Sequence, residues 1–193
     1  VARLTDAWGA LDVLVNNAGT VKGGTLRGAD DAALEETFRT NVLAPMALTR
    51  ELAPLLMRAR PSRVVNVGSV FGDIAYPGFA AYSASKFALR GFSCALRREW
   101  KPLGIGVTYA APRATRTDAA AAFDALIATT GMRLDPPEKV AARIWKAVEA
   151  GRDAAYPAGP KRLFVLIQRL APKLIDRALA RAGTRGCPPP ALP

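Results

Sequence analysis

The feature that most constrains this 193-residue chain is a strict alternation of strand-like and helix-like segments. Short apolar runs that predict strands lie at residues 11–16, 63–67, 105–110 and 153–156. Longer segments with helical periodicity lie at residues 31–59, 80–100, 118–129 and 136–150. This alternation predicts an α/β fold, a doubly wound parallel sheet with helices on both faces. Such sheets bind ligands at the carboxyl ends of their strands, so we expect the functional site there.

Both ends of the chain depart from this alternation. Residues 1–10 are typical of the end of a helix, and no cap precedes them. Residues 161–171 and 172–182 predict two basic amphipathic helices, and a Pro-rich end follows them. We therefore divide the chain into an α/β domain at residues 1–159, a helical extension at residues 160–183 and a disordered tail at residues 184–193.

The composition excludes several kinds of chemistry. The chain has no histidine, which excludes histidine-based triads and histidine-ligated zinc, and we expect no metal site. Acid–base chemistry must then use carboxylates, tyrosine, lysine or cysteine. Cys94 and Cys187 are too few and too far apart for a disulfide framework. No apolar run reaches the roughly 20 residues of a membrane-spanning helix and no signal-peptide pattern opens the chain, so we expect a cytoplasmic protein.

The formal net charge is +11, and it is concentrated near the end of the chain. Residues 161–186 carry seven basic residues and one acidic residue. No zinc-finger spacing or RNA-binding aromatic motif accompanies them, so we expect no specific nucleic-acid partner. Apolar residues recur at helical spacing in the same segment, at Leu163, Leu166, Ile167, Leu170 and Leu174. This pattern favours packing on the chain's own domain or on a sister subunit, and peripheral contact with an anionic membrane is the alternative.

Polar residues follow the predicted strands at the expected edge of the sheet. The run N-N-A-G at residues 16–19 follows the first strand, Asn41 lies in the next helix, and Ser69 closes the second strand. Tyr82 and Lys86 then open a helix at positions i and i+4, which share one helix face. A nearby ammonium favours the phenolate and lowers the pKa of a tyrosine, which can then exchange a proton with an alcohol oxygen. The Ser69 hydroxyl can polarise a carbonyl.

Each of these signals is weak when it is taken alone. A tyrosine and a lysine four residues apart occur in many amphipathic helices, and an N-N-A-G run is more often a simple turn. Ser69 is more often a loop hydroxyl or a helix cap, and Asn41 an ordinary polar helix residue. Their joint order, with each at a predicted strand end or in the adjoining helix, is much harder to produce by chance.

With these four motifs, residues 11–156 resemble the short-chain dehydrogenases/reductases in their compact single-domain branch. The resemblance implies a Rossmann-like fold and an oxidoreductase that transfers hydride between NAD or NADP and a carbonyl/alcohol substrate. It implies that Tyr82 is the general acid or base, that Lys86 also holds the nicotinamide ribose, and that Asn41 anchors a water. The catalytic residues would be Asn41, Ser69, Tyr82 and Lys86. The cofactor would contact Asn16, Ala18, Gly19, Tyr82, Lys86, Pro112, Thr115 and Thr117.

The segment after the third strand departs from the family pattern at one position. Pro112 and Thr117 match the pattern, but Arg113 stands where the family usually has a glycine that lets the backbone approach the cofactor. Arg113 could reflect a subgroup of the family or a different backbone path, or supply a cation near a phosphate, and an outward-pointing arginine is an equal alternative.

The start of the chain departs further. No glycine-rich turn lies between a strand and a helix, so we expect the first βαβαβ portion of the fold, with the residue that selects NAD or NADP, to be lacking. The strand at residues 11–16 would then be an open edge, and the chain would bind dinucleotide poorly and turn over little. A catalytically silent binding or assembly protein is the alternative, and a lyase or epimerase is a third hypothesis.

The substrate is expected between two apolar segments. Candidate contacts are Phe71, Tyr76, Phe79 and Phe123, with Leu126, Ile127 and Met132 beside them, although these residues could equally be ordinary core. The family usually associates through its two long helices, so we expect a homo-oligomer through residues 31–59 and 80–100.

Overall fold

The structure is a computed structural model that describes residues 2–157 and 161–183. Its strands are β1 (Val13–Asn16), β2 (Ser62–Val67), β3 (Ile105–Ala110) and β4 (Ala154–Ala155). Its helices are α1 (Ala2–Trp8), α2 (Asp31–Phe38), α3 (Ala44–Arg58), α4 (Ala80–Trp100), α5 (Asp124–Thr130), α6 (Pro137–Glu149), α7 (Lys161–Leu170) and α8 (Pro172–Gly183). The tail expected at residues 184–193, with Cys187, lies outside the described residues.

The long helix expected at residues 31–59 is divided. α2 ends at Phe38, and Arg39–Leu43 forms one turn of π-helix before α3 begins. Pro45 has no N–H, so the carbonyl of Asn41 cannot receive the ordinary helical hydrogen bond. The backbone N–H of Ala44 instead bonds the carbonyl of Arg39. The π-helical turn places Asn41, which is fully buried, in the middle of this junction.

Two other elements are shorter than expected. The segment predicted to be a helix at residues 118–129 opens with 3-10 turns at Asp118–Phe123, and α5 begins only at Asp124. The fourth strand has two residues, where the sequence predicted four. Proline separates the last two helices as expected, because Pro172 stands at the first position of α8.

The four strands form one parallel sheet in the order β1-β2-β3-β4. Val15 is level with Val65 on β2, which in turn is level with Thr108 on β3. All carboxyl ends therefore meet at one edge of the sheet, which confirms the predicted parallel α/β architecture. Within the described residues β1 pairs only with β2, and Val15 is 47% exposed.

The sheet is covered on both faces, as a doubly wound fold requires. On one face Ile105 and Val107 pack with Leu56 of α3 and with Leu96 and Trp100 of α4. On the other face Ala110 packs against Ala147 of α6 and Ala155 of β4. Alternate residues of a strand point to opposite faces, so β3 lies between α4 and α6.

The extension at the end of the described chain is a pair of packed helices, α7 and α8. Each turns one apolar residue inward, Val165 on α7 and Ile175 on α8. Across residues 2–157 and 161–183, no helix has both the length and the apolar character needed to cross a membrane.

Candidate active site

A cleft of about 150 Å³ opens at the carboxyl edge of the sheet. Its walls come from the loop after β1, the end of β2, the start of α4 and the segment after β3. The predicted site residues that line it are Gly19, Ser69, Tyr82, Lys86, Pro112, Thr115, Thr117 and Phe123. The fold thus brings together residues that are more than 100 positions apart in the sequence.

Lys86 stands at the floor of this cleft. Its Nζ donates a hydrogen bond of 3.1 Å to the carbonyl of Val67 at the end of β2 and lies 5.7 Å from the centre of the Tyr82 ring. Gly19 lies close against Lys86. A Cβ at this glycine would lie 3.3 Å from Lys86 Nζ and 3.1 Å from Asn41 Oδ1. A larger residue at position 19 would crowd the lysine, which explains a glycine at the end of the N-N-A-G run.

Tyr82 and Ser69 line the cleft together with Lys86. Burial raises the pKa of Tyr82 above its ordinary value, and a hydrogen bond with the Ser69 side chain partly offsets this rise. The Ser69 Oγ also accepts a bond of 3.1 Å from the N–H of Phe71. This bond uses one of the two acceptor lone pairs of Ser69, and the hydroxyl hydrogen is available as a donor.

Burial also lowers the pKa of Lys86 to about 8. The sequence predicted that Lys86 would lower the pKa of Tyr82, but the pKa is raised, because desolvation is the largest cause of its shift. Both side chains are removed from water, and desolvation is the largest cause of both shifts. We call Ser69, Tyr82 and Lys86 the reactive cluster.

Asn41 lies behind the cleft rather than in its wall. Its Oδ1 accepts from the N–H of Thr20 at 2.9 Å, and its Nδ2 donates to the Thr20 carbonyl at 2.9 Å and to Ser85 Oγ at 3.0 Å. Ser85 Oγ donates to the carbonyl of Tyr82 at 2.7 Å. Asn41 thus joins the loop after β1 to the first turn of α4, and its predicted role as a water anchor stays a prediction.

Asn16 lies apart from the predicted cofactor contacts. Its Nδ2 donates to Thr49 Oγ1 at 3.0 Å and to Asn66 Oδ1 at 2.8 Å, and Asn66 Nδ2 donates to Ser93 Oγ at 2.9 Å. This amide network, made of Asn16, Thr49, Asn66 and Ser93, ties β1 and β2 to α3 and α4. The Asn16 side chain therefore holds the sheet together and does not line the cleft, and neither does Ala18. Asn17, which was not among the predicted contacts, does line it.

The segment after β3 is held in place by residues 133–135. Arg113 Nη1 lies 3.3 Å from Asp135 Oδ1, and Nη2 donates to the Arg133 carbonyl at 2.9 Å. The Arg113 side chain is 17% exposed, so the interpretation of an outward-pointing arginine is wrong. Its charge is paired with Asp135, and the residue lines the cleft. A cation near a phosphate, a different backbone path and a subgroup feature stay predictions. Thr115 Oγ1 donates to the Arg113 carbonyl at 2.9 Å and stabilises this segment.

The predicted substrate residues form one aromatic cluster beside Tyr82. Phe79 and Phe123 stack with ring centres 5.1 Å apart, and Phe71 stacks on Tyr76 at 5.3 Å. Phe79 is buried and belongs to the core, whereas Phe123 is buried and also lines the cleft. Phe71 and Tyr76 line a second opening with Leu126 and Met132. The role of these side chains as substrate contacts stays a prediction.

A sequence profile described as short chain dehydrogenase matches residues 1–129. This chain belongs to that family. The match covers β1, β2, β3, α4 and the cleft loops, which are the parts that carry the motifs. The resemblance stated from the sequence is thereby confirmed.

Two relatives show how far the similarity to other short-chain dehydrogenases extends. The chain is 31% identical to the 3-oxoacyl-(acyl-carrier-protein) reductase FabG of Vibrio cholerae, over 81% of this chain and 66% of the relative. It is 35% identical to dehydrogenase/reductase SDR family member 7B of Xenopus laevis, over 92% of this chain and 58% of the relative. The chain thus spans between about half and two thirds of the length of these proteins.

Solved short-chain dehydrogenases share the fold. One from Streptomyces avermitilis superposes with a TM-score of 0.75 at 30% identity, covering 97% of this chain and 74% of the other. One from Burkholderia cenocepacia, solved in complex with NADP, gives a TM-score of 0.79 at 21% identity, covering 92% and 72%. The Rossmann-like architecture of the chain is therefore that of the family.

Tyr109, which the sequence did not single out, is hydrogen-bonded to the backbone of Ser69 in the reactive cluster. Its hydroxyl donates to the Ser69 carbonyl at 3.1 Å and accepts from the Ser69 N–H at 3.4 Å. Burial raises its pKa far above the ordinary value, so it stays a neutral donor. A Cβ at Gly68 would overlap the Tyr109 ring, and one at Gly72 would meet Tyr109 and lie 2.7 Å from the Lys86 carbonyl. The glycines of N-V-G-S-V-F-G therefore make room for this tyrosine.

Asp73 is the second residue that the sequence did not single out. Its carboxylate is almost fully buried and lies 3.1 Å from both Arg90 Nη1 of α4 and Arg169 Nη2 of α7. The Tyr156 hydroxyl donates to it at 3.0 Å, and burial, followed by this carboxylate, raises the pKa of Tyr156 to about 12. A lone acid in an otherwise apolar loop was the available signal. Asp73 links the loop that follows Ser69 to the helical extension.

Proposed function

We propose that this chain is the catalytic part of an NAD(P)-dependent oxidoreductase that acts on a carbonyl/alcohol pair, with Tyr82 as general acid or base. The observation that carries the proposal is the convergence of Ser69, Tyr82 and Lys86 on one cleft at the carboxyl edge of a parallel sheet. A tyrosine beside a lysine, with a serine hydroxyl available as a donor, suits proton transfer to an alkoxide.

The lining of the cleft fits the nicotinamide end of a dinucleotide. Gly19 leaves Lys86 Nζ uncovered by any Cβ, and this ammonium is a donor suited to ribose hydroxyls. Pro112, Thr115 and Thr117 provide the facing wall. A bound dinucleotide would supply the hydride. The choice between NAD and NADP is left open in this proposal.

Residues of this chain would hold the substrate oxygen and transfer the proton to or from it. The Ser69 hydroxyl would donate a hydrogen bond to the substrate oxygen, and the Tyr82 hydroxyl would transfer its proton to that oxygen in reduction and recover it in oxidation. Charged Lys86 would favour the phenolate that Tyr82 becomes. Burial lowers the pKa of Lys86 to about 8. We expect negative charge near Nζ to raise this pKa, so that Lys86 is fully protonated. The apolar wall of Phe71 and Tyr76 favours a substrate with an apolar body.

Dinucleotide binding by the 193-residue chain should be weak, and saturation-transfer NMR detects weak binding. We expect magnetisation transfer to the nicotinamide and its ribose to exceed transfer to the adenine. Lys86→Met should abolish the nicotinamide signal, whereas Lys139→Met, at an exposed position of α6, should not. Equal signals from both ends, or no effect of Lys86→Met, would contradict the proposed site. Tight binding would contradict the expected weakness.

A catalytically silent binding protein is the alternative, and turnover separates it from the enzyme. With a panel of apolar ketones and aldehydes, we expect slow oxidation of NADPH or NADH that Tyr82→Phe eliminates. If the NMR signals appear but no oxidation is detected, the silent protein is favoured. If oxidation is detected and Tyr82→Phe leaves it unchanged, the proposed role of Tyr82 is contradicted.

We also propose a homo-oligomer through the long helices. α2, the π-helical turn, α3 and α4 expose large apolar side chains, namely Phe38, Leu43, Met46, Leu48 and Phe87. Apolar exposure on two adjacent helices is typical of a subunit interface. Light scattering should show a dimer or tetramer that Leu48→Glu dissociates, and an unchanged mass would contradict this interface.

A further inference from the structure

Helix α7 exposes most of its large apolar side chains, whereas an ordinary surface helix buries them. Its outward face carries Leu163, Phe164, Leu166 and Leu170, which are 55%, 51%, 50% and 76% exposed. A surface helix normally turns such residues toward the core and its polar residues toward water. Leu174 continues the same apolar face onto α8, where it is 54% exposed.

The inward face of α7 explains this orientation. Arg169 Nη2 lies 3.1 Å from Asp73 and 3.4 Å from the Tyr156 hydroxyl, and Val165 beside it is buried. These contacts fix the rotation of the helix about its axis. The sequence favoured packing of the apolar stripe on its own domain or on a sister subunit. Packing on its own domain is wrong for Leu163, Leu166, Leu170 and Leu174, which are exposed, and packing on a sister subunit stays a prediction. The exposed stripe is therefore a fixed feature of the fold.

We infer that the outward face of α7 and the start of α8 form a docking surface for an anionic lipid bilayer. We call this surface, defined by Leu163, Phe164, Leu166, Leu170 and Leu174, the extension face. An amphipathic helix with an apolar side and basic neighbours binds at the boundary between headgroups and acyl chains. With ten and twelve residues, α7 and α8 are too short to span a bilayer and would lie along its surface.

Charge complementarity selects the lipid as the occupant. Residues 161–183 carry six basic residues and one acidic residue. Lys173 and Arg177 are exposed, and within the described residues neither forms an ion pair. Each basic residue near an anionic leaflet adds to the attraction. A second copy of the chain would instead bring the same positive charges face to face, which opposes association of two extension faces.

Sedimentation with vesicles tests this inference on the full chain. We expect the chain to bind vesicles of phosphatidylcholine with phosphatidylglycerol, and to bind pure phosphatidylcholine at least about tenfold more weakly. Leu166→Asn/Leu170→Asn should reduce binding to the anionic vesicles about tenfold. Lys173→Gln/Arg177→Gln should also reduce it and should weaken its dependence on salt.

Matched controls separate this surface from the general basicity of the chain. Leu26→Asn/Leu103→Asn removes two exposed leucines elsewhere, and Arg27→Gln/Lys139→Gln removes two exposed cations elsewhere. Both control variants should bind as the original chain does. Equal losses in test and control variants, or equal binding to neutral and anionic vesicles, would overturn the inference. If Leu166→Asn/Leu170→Asn lowers the mass in light scattering and leaves vesicle binding unchanged, the occupant is a second copy and the inference also fails.

Discussion

The amide network and the reactive cluster come within three residues of each other in the sequence, at Asn66 and Ser69, and both are buried, yet they differ in chemistry and in what they face. In the amide network the side chains are neutral, buried and hydrogen-bonded to one another. In the reactive cluster Tyr82 and Lys86 are titratable, line an open cleft and have pKa values shifted by burial. One region stabilises the fold, and the other carries the cost of burying titratable groups that the proposed chemistry would use.

The backbone between them explains the difference. Asn66 belongs to β2 and points toward the helices, where Asn16, level with it on β1, and Ser93 of α4 meet its side chain. After β2 the chain passes Gly68, whose missing side chain admits the Tyr109 ring, and Ser69 then faces the cleft. A change from strand to turn thus separates a structural amide from a reactive hydroxyl.

The largest expected effect on stability is that of Asn66→Ala. This variant removes the acceptor of the Asn16 bond and the donor of the Ser93 bond, and it leaves a cavity where the side chain was fully buried. We expect the free energy of unfolding to fall by about 3 kcal/mol, measured by urea denaturation. The matched variant in the reactive cluster, Tyr82→Phe, should change it by less than about 1 kcal/mol. Comparable losses from both variants would remove the distinction between the two regions.

The second effect concerns the cost of burying Lys86. Its pKa is about 8 in the folded chain and 10.5 in its ordinary state, so below pH 8 both states are protonated and the full cost is present. Between pH 8 and 10 the folded lysine loses its proton while the unfolded one keeps it. The free energy of unfolding should therefore rise with pH in this window, by about 2 kcal/mol.

Lys86→Met should remove this rise, because methionine does not titrate. Urea denaturation of both chains at pH 8, 9 and 10 gives the comparison directly. The window stops at 10 because the buried tyrosines have raised pKa values and act in the opposite direction above it. Parallel curves for the two chains would show that Lys86 is not the titrating group.

The amide network and the reactive cluster also differ in how far the sequence predicted them. The order of N-N-A-G, Ser69 and the Tyr82–Lys86 pair along alternating strands and helices was sufficient for the fold and the cleft. The same pattern could not tell that Asn16 is directed to the helices, since that depends on the pleat and register of β1 against β2. It also could not predict the direction of the Tyr82 pKa shift, which depends on burial by Phe123 and its neighbours.

Long-range contacts account for the rest. Asp73 meets Arg90, Tyr156 and Arg169, and Arg169 is 96 positions away. No local periodicity encodes such a contact. The orientation of α7 follows from it, which is why the helical spacing of the leucines predicted an amphipathic helix correctly and its buried side incorrectly.

The third effect concerns the loop after Ser69, which contains Asp73. Unlike the neutral amide network, this loop is expected to owe part of its stability to charge. Asp73→Asn preserves the shape of the side chain and leaves Arg90 and Arg169 without a counter-charge. Both arginines are partly exposed, so water screens part of the cost. We expect a loss of about 1.5 kcal/mol in the free energy of unfolding and a weaker dependence of stability on salt. An unchanged stability would mean that the desolvation cost of the buried carboxylate equals the stabilisation from its ion pairs.

The smallest effect on stability, and the most local, is expected from Arg169→Gln. Arg169 is half exposed, so the loss should be only about 0.5 kcal/mol. Amide hydrogen exchange gives a sharper measurement. Because Arg169 joins α7 to Asp73, its removal should speed exchange in residues 70–76 and in α7, while β1 and β2 keep their protection. Arg169→Lys retains the charge without the planar geometry and should restore protection only in part. Faster exchange throughout the sheet would instead indicate global destabilisation, and unchanged exchange in the loop would show that the extension does not support the reactive cluster.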